Sequence, residues 1–374
     1  MGEHIVCGID AHDVRLDCRI GVGREAPERR RFENSREGRC ELFEHLELLS
    51  AKHAGAKVMV GYEASALGFG LYDDCRDNGV ECVVLAPTKI ARSVEDRKRK
   101  TDDRDATRIF EALRAHVLAG NKLPAIWIPD EQTRDDRETM RGRLDLTEKL
   151  TAVKAQVRML LKRNRVEKPE EVGASWTIAF RGWLAALKLK PGAQSCLSSL
   201  LRQVKALEEE IKILDRQIIE LSEGVRYGDA AVALCAIGGV GLLTAMVYLT
   251  EMGDLSRFSN RKKIGAFLGL VPSSNESGEA DDRKGHITHQ GPGRVRKVLC
   301  QAVWGRVRSD PEEAEVYRRM VERNPKHKKI AVVGCMRRLA ILMWHLGLEA
   351  QRRAGLLAAG AAGQLDGQGA VCRG

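Results

Sequence analysis

Three short apolar runs near the amino terminus constrain the fold more than any other feature of the sequence. They are HIVCGIDAH, AKVMVGYEAS and ECVVLAP, at residues 4–12, 56–65 and 81–87. Each has the length and composition of a buried strand, and helical patterns lie between and after them. Two further runs, RLDCRIGVG and RRRFENS, are expected to follow the first as hairpin-connected strands. This order predicts an α/β domain with a mixed sheet that ends near Pro129.

Acidic side chains stand at the ends of these elements. Asp10 ends the first run, Glu63 ends the second, and Asp102 and Asp105 open a helical pattern. Residues three apart on a helix point the same way, so the last two are expected to act together, whereas Asp103 is expected to face solvent. Each acid alone is more often a turn residue. Together they match what a ribonuclease-H-like nuclease needs to hold Mg²⁺, which bridges phosphate oxygens and activates a nucleophile.

Heptads mark the middle of the chain. Apolar residues alternate spacings of four and three over residues 146–160 and again over 200–221. This spacing predicts coiled-coil helices. The two helices pair either with each other, as an antiparallel hairpin, or with another subunit. The intervening residues 164–196 contain prolines and aromatic side chains and are expected to form an irregular or short-helical connection.

An uncharged stretch at residues 230–250 is long enough to cross a bilayer. Its centre, IGGVG, carries three glycines, which disfavour one continuous helix. The sequence therefore predicts two helices joined by a Gly-x-Gly turn, as in half of a helix-hairpin-helix. There Gly239 and Gly241 would let backbone N–H groups approach a phosphate, although a buried hairpin without a ligand is the alternative. No membrane span is expected. The start, MGEHIVCGID, lacks a signal-peptide pattern, and the scattered cysteines favour a reducing cytoplasm.

The net charge of +10 favours a polyanionic partner. Residues 254–345 hold 19 Lys and Arg against 10 Asp and Glu, so the partner is expected to meet the C-terminal part. A polar loop there presents Ser273, Ser274 and Ser277, which composition alone marks as ordinary loop residues. The basic residues that follow are expected to hold phosphates. The predicted nucleic-acid contacts are Arg97, Lys98, Lys100, Gly239, Gly241, Arg283, Lys284, Arg294, Arg296 and Lys297.

Five motifs occur in order along the chain: GIDAH, GYEAS, KTDDRDA, IGGVGLLTA and FLGLVPSSNESGEADDRKGHITHQGPGRVRKVL. In this order and spacing the chain resembles the DEDD transposases of insertion sequences, which are related to the Piv-type DNA invertases. The resemblance covers about residues 4–345. It implies a RuvC-like domain at 1–130, a coiled-coil linker at 131–225, a mostly helical transposase domain at 226–350 and, outside the resemblance, a disordered tail at 351–374.

The resemblance also implies site residues. The acidic tetrad falls on Asp10, Glu63, Asp102 and Asp105. The family's catalytic serine precedes a glycine, which favours Ser277 over Ser273 and Ser274. In this family the serine attacks DNA and forms a 5′-phosphoserine link, Mg²⁺ assists, and a structured bridge RNA pairs with donor and target DNA. The resemblance further implies a dimer or tetramer in which acids and serine come from different subunits.

Other functions remain open at this point. A RuvC-type nuclease that cuts branched DNA by water attack would need the acids but not Ser277. A non-catalytic nucleic-acid-binding protein would tolerate loss of every acid. A sugar-kinase-like ATPase is disfavoured because no second phosphate loop is present. The sequence does not specify the target and donor sites, nor whether this copy is active.

Overall fold

The computed structural model describes residues 4–87, 102–274, 284–323 and 325–355. The chain divides into two compact units, one up to Ile128 and one from Pro129 onward, and each unit is described by itself. The first unit is a mixed α/β domain and the second is mostly helical, which confirms the predicted fold class at this level.

The described residues of the first unit form five strands and three helices. They are β1 (His4–Ala11), β2 (Arg15–Val22), β3 (Glu28–Glu33), α1 (Arg36–Lys52), β4 (Lys57–Glu63), α2 (Gly70–Asp77), β5 (Glu81–Leu85) and α3 (Asp102–Ala119). The sheet order is β3-β2-β1-β4-β5. The pairs β1–β2 and β2–β3 are antiparallel, whereas the pairs β1–β4 and β4–β5 are parallel. This mixed sheet is consistent with a ribonuclease-H-like domain.

Helices cover both faces of this sheet. Ile5, Cys7 and Ile9 of β1 pack in one apolar cluster with α1 and α2, whereas Val6 packs in another with α3. Successive strand residues point to opposite faces, so the remaining even-numbered residues of β1 share the α3 face. Asp10 is one of them.

The second unit contains nine helices and one small hairpin among its described residues. They are α4 (Glu131–Arg163), α5 (Ile178–Ala186), α6 (Pro191–Glu223), α7 (Gly228–Cys235), α8 (Leu242–Met252), α9 (Arg261–Phe267), β6 (Pro272–Ser274), β7 (Lys284–Ile287), α10 (Gly293–Ser309), α11 (Pro311–Arg323) and α12 (Lys328–Arg353).

The heptad helices α4 and α6 pair with each other inside the chain. Arg143 Nε lies 2.7 Å from Asp215 Oδ1, and Lys154 Nζ lies 2.9 Å from Glu208 Oε1. The later residue of α4 meets the earlier residue of α6, so the helices run antiparallel. The apolar seam of both helices is buried or half-buried in this hairpin. Of the two pairings that the heptads allowed, the structure therefore contains the one within the chain.

The core of the second unit surrounds α7, α8 and α12. The stretch around residues 230–250 is two helices broken at the glycines, as predicted. One helix of the described part, Pro325–Arg353, is long and apolar enough to cross a membrane, with 44% of its apolar window buried inside the protein. The buried side of α12 packs against α7, α9, α10 and α11, as a core helix does.

Candidate active site and nucleic-acid contacts

Asp10 and Glu63 end neighbouring parallel strands on one face of the sheet. Ile9 is the register partner of Tyr62, so the two acids follow at the next position of β1 and β4. Both are half-buried. Because carboxyl ends of parallel strands meet at one sheet edge, these carboxylates project side by side toward α3.

A pair of glycines lets α3 approach the sheet closely. Gly8 of β1 and Gly61 of β4 are register partners. A Cβ on Gly8 would lie 2.3 Å from the backbone nitrogen of Phe110 and 2.8 Å from the carbonyl oxygen of Ala106, and one on Gly61 would lie 2.8 Å from the Leu113 side chain. The helix backbone therefore rests directly on the strands. Only residues without a side chain leave this space.

The close approach brings the start of α3 to the acids. Ala106 of α3 lies over Gly8, which is two residues before Asp10 on β1. Asp105 immediately precedes Ala106 on the helix. The Asp105 carboxylate pairs with Arg108 one turn later, and both side chains are mostly buried. His12 Nε2 lies 3.3 Å from Asp10 Oδ2. Asp10, Glu63 and Asp105, three of the four predicted acids, thus lie at the same end of the sheet, on the face covered by α3.

Asp102 is the first residue of α3, but its side chain and that of Asp103 lie outside the described residues. The helix spacing places Asp102 one turn from Asp105, as the sequence pattern required. Among the described side chains, no group of three His, Cys, Asp or Glu residues is arranged to hold a metal ion. The donor chemistry nevertheless fits a hard divalent cation, since the acids offer carboxylate oxygens from two strand ends and one helix.

Three of the cations that the sequence predicted as nucleic-acid contacts lie outside the described residues. Arg97, Lys98 and Lys100 belong to the stretch 88–101, so their predicted contacts stay predictions.

The predicted glycine turn joins α7 to α8. Gly239 has a positive φ of 80°, and Gly241 precedes the first residue of α8. Both glycines are exposed, and no side chain caps the helix N-terminus. This geometry suits an anion at the first turn of a helix, and the phosphate contact remains a prediction.

Arg306 of α10 supports that turn from inside. Its Nη1 donates to the Gly238 carbonyl oxygen at 2.8 Å and its Nη2 pairs with Glu313 at 2.7 Å. A Cβ on Gly239 would lie 2.6 Å from the Arg306 Cγ. Gly239 is therefore required for two reasons: its φ is positive, and the Arg306 side chain occupies the space that a Cβ would need. Sequence reasoning missed this arginine, because it lies 68 positions along the chain from Gly238.

The serine loop emerges from a hairpin whose base is tightly closed. Ser273 is exposed and its Oγ donates to the His286 carbonyl oxygen at 3.0 Å, while Ser274 is the last residue of β6. Ser277 and Arg283 lie outside the described residues, as does the side chain of Lys284, whose backbone begins β7. The structure therefore does not choose among the serines.

Two glycines close the base of this hairpin. Gly269 and Gly291 have positive φ of 62° and 68°. A Cβ on Gly269 would lie 2.4 Å from the Gln290 carbonyl oxygen, and one on Gly291 would lie 1.8 Å from the Phe267 carbonyl oxygen. Backbone therefore packs on backbone where the two arms of the hairpin leave α9 and enter α10.

The three predicted cations of α10 have different surroundings. Arg294 pairs with Asp145 at 3.1 Å and Lys297 with Glu148 at 2.6 Å, and both pairs are exposed. Such pairs contribute about 0–1 kcal/mol, so a phosphate can replace the acid at little cost.

Arg296 instead braces the base of the hairpin. Its Nη1 donates to the carbonyl oxygens of Leu268, Gln290 and Gly291 at 3.1, 2.7 and 3.3 Å. Burial lowers the pKa of this guanidinium. The structure thus gives Arg296 a role within the fold that sequence reasoning missed.

Comparison with known proteins gives two family matches in chain order. A family model of IS110-type DEDD transposases matches residues 7–165, and a second, described as the transposase IS116/IS110/IS902 family, matches residues 231–318. The first match contains all four candidate acids. The second contains the glycine turn and the serine loop.

Individual relatives agree with these matches. The chain is 34% identical over 247 residues to a putative transposase, y4qE, of Sinorhizobium fredii, across 65% of this chain and 57% of that protein. It is 27% identical over 245 residues to the transposase for insertion sequence element IS1533 of Leptospira borgpetersenii, across 65% of this chain and 69% of that protein. Transposases are enzymes that catalyse DNA strand transfer. Over both matched segments the chain is therefore similar to the DEDD transposases of the IS110/IS116/IS902 family.

Proposed function

We propose that this chain is the transposase of an IS110-type insertion sequence and that it cuts and rejoins DNA. One observation carries the proposal: Asp10 and Glu63 end adjacent parallel strands on the face where Gly8 brings α3 and Asp105 against the sheet. Carboxylates grouped in this way repel an anionic phosphodiester unless a cation lies between them. The arrangement therefore supports cation-assisted chemistry on phosphates.

Mg²⁺ is the cofactor in this proposal. The residues that would hold it are Asp10, Glu63, Asp102 and Asp105. When bound, it would neutralise charge on one phosphate oxygen. The chain's own contribution is rigidity, because hydrogen-bonded strands fix Asp10 beside Glu63 and the glycine contact fixes Asp105 above them.

Ser277 is the nucleophile in this proposal. Its Oγ attacks the phosphorus, the bond to the 3′ oxygen breaks, and the proton of the hydroxyl ends on that leaving oxygen. The products are a 5′-phosphoserine link and a free 3′ hydroxyl, which can later attack the link of another strand and release the serine. The closed base at Gly269 and Gly291 supports this role, since it anchors both arms of the loop.

The remaining parts of the proposal rest on the resemblance. They are guidance by a bridge RNA, binding of donor and target DNA, assembly as a dimer to tetramer, and the four-part division at residues 130, 225 and 350. A cytoplasmic location without a membrane is proposed instead from the scattered cysteines and the glycines at residues 238–241. Composite sites formed between subunits would explain how acids and serine serve one reaction.

A denaturing gel tests the chemistry. The purified chain is incubated with end DNA of its element and flanking RNA, with and without Mg²⁺. Ser277→Ala is compared with Ser273→Ala, and Asp10→Asn with Asp13→Asn, an exposed acid in the turn after β1. We expect a protein–DNA adduct that needs Mg²⁺ and is lost in Ser277→Ala and Asp10→Asn but not in the two controls. The Asp10 variant should bind DNA within a few-fold of the parent chain.

Four results would contradict parts of this proposal. Cleavage without an adduct in any variant would indicate a RuvC-type nuclease that uses water. An adduct lost in Ser273→Ala instead would move the nucleophile. Full cleavage by Asp10→Asn would remove the acids from the site, and binding without cleavage would favour a non-catalytic binding protein.

A further inference from the structure

Alternation along β2 and β3 places a row of arginines on the face that carries the acids. Asp10 of β1 is the register partner of Asp17, which in turn is the partner of Arg31. Directly opposite residues of antiparallel strands point to the same face. The same rule adds every second residue of each strand. The row consists of Arg15, Arg19, Arg29 and Arg31, here called the arginine track.

A buried carboxylate fixes one end of the arginine track. Asp17 is 3% exposed, and each of its oxygens accepts a hydrogen bond of 2.9 Å, one from Arg15 Nε and one from Arg31 Nε. Burial would raise the pKa of Asp17, but the bonds from Arg31 and Arg15 outweigh it and hold the pKa below its usual value. The two arginine side chains remain 40% and 55% exposed. Their guanidinium groups are thus held in place at the surface beside Asp10.

The other members connect the track to α3. Arg19 Nε donates to the Thr107 hydroxyl at 3.1 Å, two residues after Asp105. Arg29 stands opposite Arg19 on the edge strand β3. Like charges directly opposite each other repel, and an anion that lies over both attracts each of them and offsets that repulsion.

The partner chemistry follows from this arrangement. Four guanidinium groups share this face of β2 and β3 with two carboxylates, Asp17 and Glu33, and so carry an excess of positive charge. They extend across two strand spacings, about 10 Å, from the sheet edge to Asp10. Guanidinium matches phosphate with paired N–H donors. A row of such groups fits successive phosphates of a nucleic-acid strand rather than one small anion.

We infer that the arginine track binds the phosphodiester backbone of the DNA strand that enters the site of Asp10, Glu63 and Asp105. The inference rests on the proposed function in one respect, namely that the bound DNA strand leads to the acidic site. None of its four arginines is among the nucleic-acid contacts predicted from the sequence.

The strand alternation supplies a matched control. Arg30 lies between Arg29 and Arg31 in sequence but points to the opposite face of the sheet. Its Nε donates to Glu28, which in turn contacts His45 of α1 on that face. It is 49% exposed, close to the 55% of Arg31. Replacing Arg30 by Ala removes one positive charge, as each substitution in the arginine track does, but leaves the track intact.

The test measures how affinity for a labelled single-stranded oligodeoxynucleotide depends on salt. Full-length chain is titrated in EDTA between low and physiological salt, so the readout does not require cleavage. Arg29→Ala/Arg31→Ala should lower the slope of log affinity against log salt by about 1.4, at about 0.7 per lost phosphate contact. Arg30→Ala should leave the slope unchanged, and Arg29→Lys/Arg31→Lys should restore most of it.

Other outcomes overturn the inference. An unchanged salt slope in Arg29→Ala/Arg31→Ala does so. A fall of the salt slope in Arg30→Ala as large, per residue, as in the double variant also does so. A loss with an RNA strand of the same sequence but not with DNA would assign the track to RNA instead. If loss of the Asp17 partner unfolds the double variant, Arg29→Gln alone still tests the track, with an expected slope change of about 0.7. Failure of the proposed function would instead appear as no cleavage in Mg²⁺ with these slope differences intact.

Discussion

The two units bring backbone against backbone in different ways. Under α3, Gly8 lies in an ordinary strand conformation and is required only because the helix occupies the space of a side chain. At the base of the serine hairpin, Gly269 and Gly291 lack that space and also have positive φ. The helix contact can in principle relax by a shift of α3. The hairpin base cannot relax without changing the path of the chain.

The largest expected effect is therefore in the hairpin. Gly291→Ala adds a methyl group 1.8 Å from the Phe267 carbonyl oxygen and imposes a left-handed conformation on a residue with a Cβ. We expect a loss of about 2–6 kcal/mol in the free energy of unfolding, the sum of overpacking and backbone strain. Hydrogen exchange of the β6, β7 and α10 amides measures it locally. Protection equal to that of the parent chain would show that the base is not closed as described.

The helix contact should be second in size. Gly8→Ala meets backbone atoms of α3 and should cost about 1–3 kcal/mol, whereas Gly61→Ala meets only the Leu113 side chain and should cost about 1 kcal/mol. Because α3 carries Asp105, DNA cleavage should fall more steeply than stability in Gly8→Ala.

Gly70→Ala is the matched control for this series, since no described atom lies within 4 Å of its Cβ position at the start of α2. It should be neutral or stabilise by about 0.4–1 kcal/mol. Exchange of the β1 and α3 amides ranks the three variants. A Gly61→Ala variant less stable than Gly8→Ala would mean that the backbone contact is not the tighter one.

Two arginines two residues apart on α10 sharpen the contrast between support and binding. Arg296→Ala leaves carbonyl groups at the hairpin base without their donor and should cost about 1–3 kcal/mol, with an unchanged salt slope of duplex binding. Arg294→Ala loses only an exposed pair with Asp145 and should cost under about 1 kcal/mol. Its salt slope should fall by about 0.9 if it contacts a phosphate. If the salt slope fell in Arg296→Ala and stayed unchanged in Arg294→Ala, Arg296 would be the phosphate contact and Arg294 would not.

The smallest effect is expected from acid titration of one carboxylate in each unit. Bonds from Arg181 and Lys154 lower the pKa of Glu208 to about 2, and the pKa of Asp17 is also lowered. A lowered folded-state pKa gives stability above the unfolded pKa, near 4, that is lost as the pH falls through the folded value. Glu208→Gln and Asp17→Asn should therefore unfold with less dependence on pH below about 4. Melting curves from pH 5 to 2.5 measure this, and an unchanged pH dependence in Asp17→Asn would remove its arginines as the cause.

Local patterns predicted much of the candidate site. Asp10 and Glu63 end strands and Asp105 lies in the first turn of a helix, as their apolar neighbours indicated. Periodicity identifies these elements because it depends on nearby residues alone. The same argument separated α7 from α8 at the glycines.

Long-range partners could not be predicted in this way. Arg296 and Arg306 look like solvent-facing cations in sequence, yet each holds carbonyl oxygens of a distant turn. The heptads allowed pairing within or between chains, and contacts such as Arg143 with Asp215 decided for the former within this structure. Ser277 stays a prediction from the resemblance.

The sequence by itself determined which segments are strands and helices and which of them end in acids, because hydrophobic period and glycine content act over a few residues. Only the tertiary structure decided that Gly8 lies opposite Gly61 and that Asp17 joins Arg31 to Asp10. Those pairings depend on strand register, which is set by the packing of both faces of the sheet at once. A shift of one residue would preserve every local pattern and would move the arginine track to the other face.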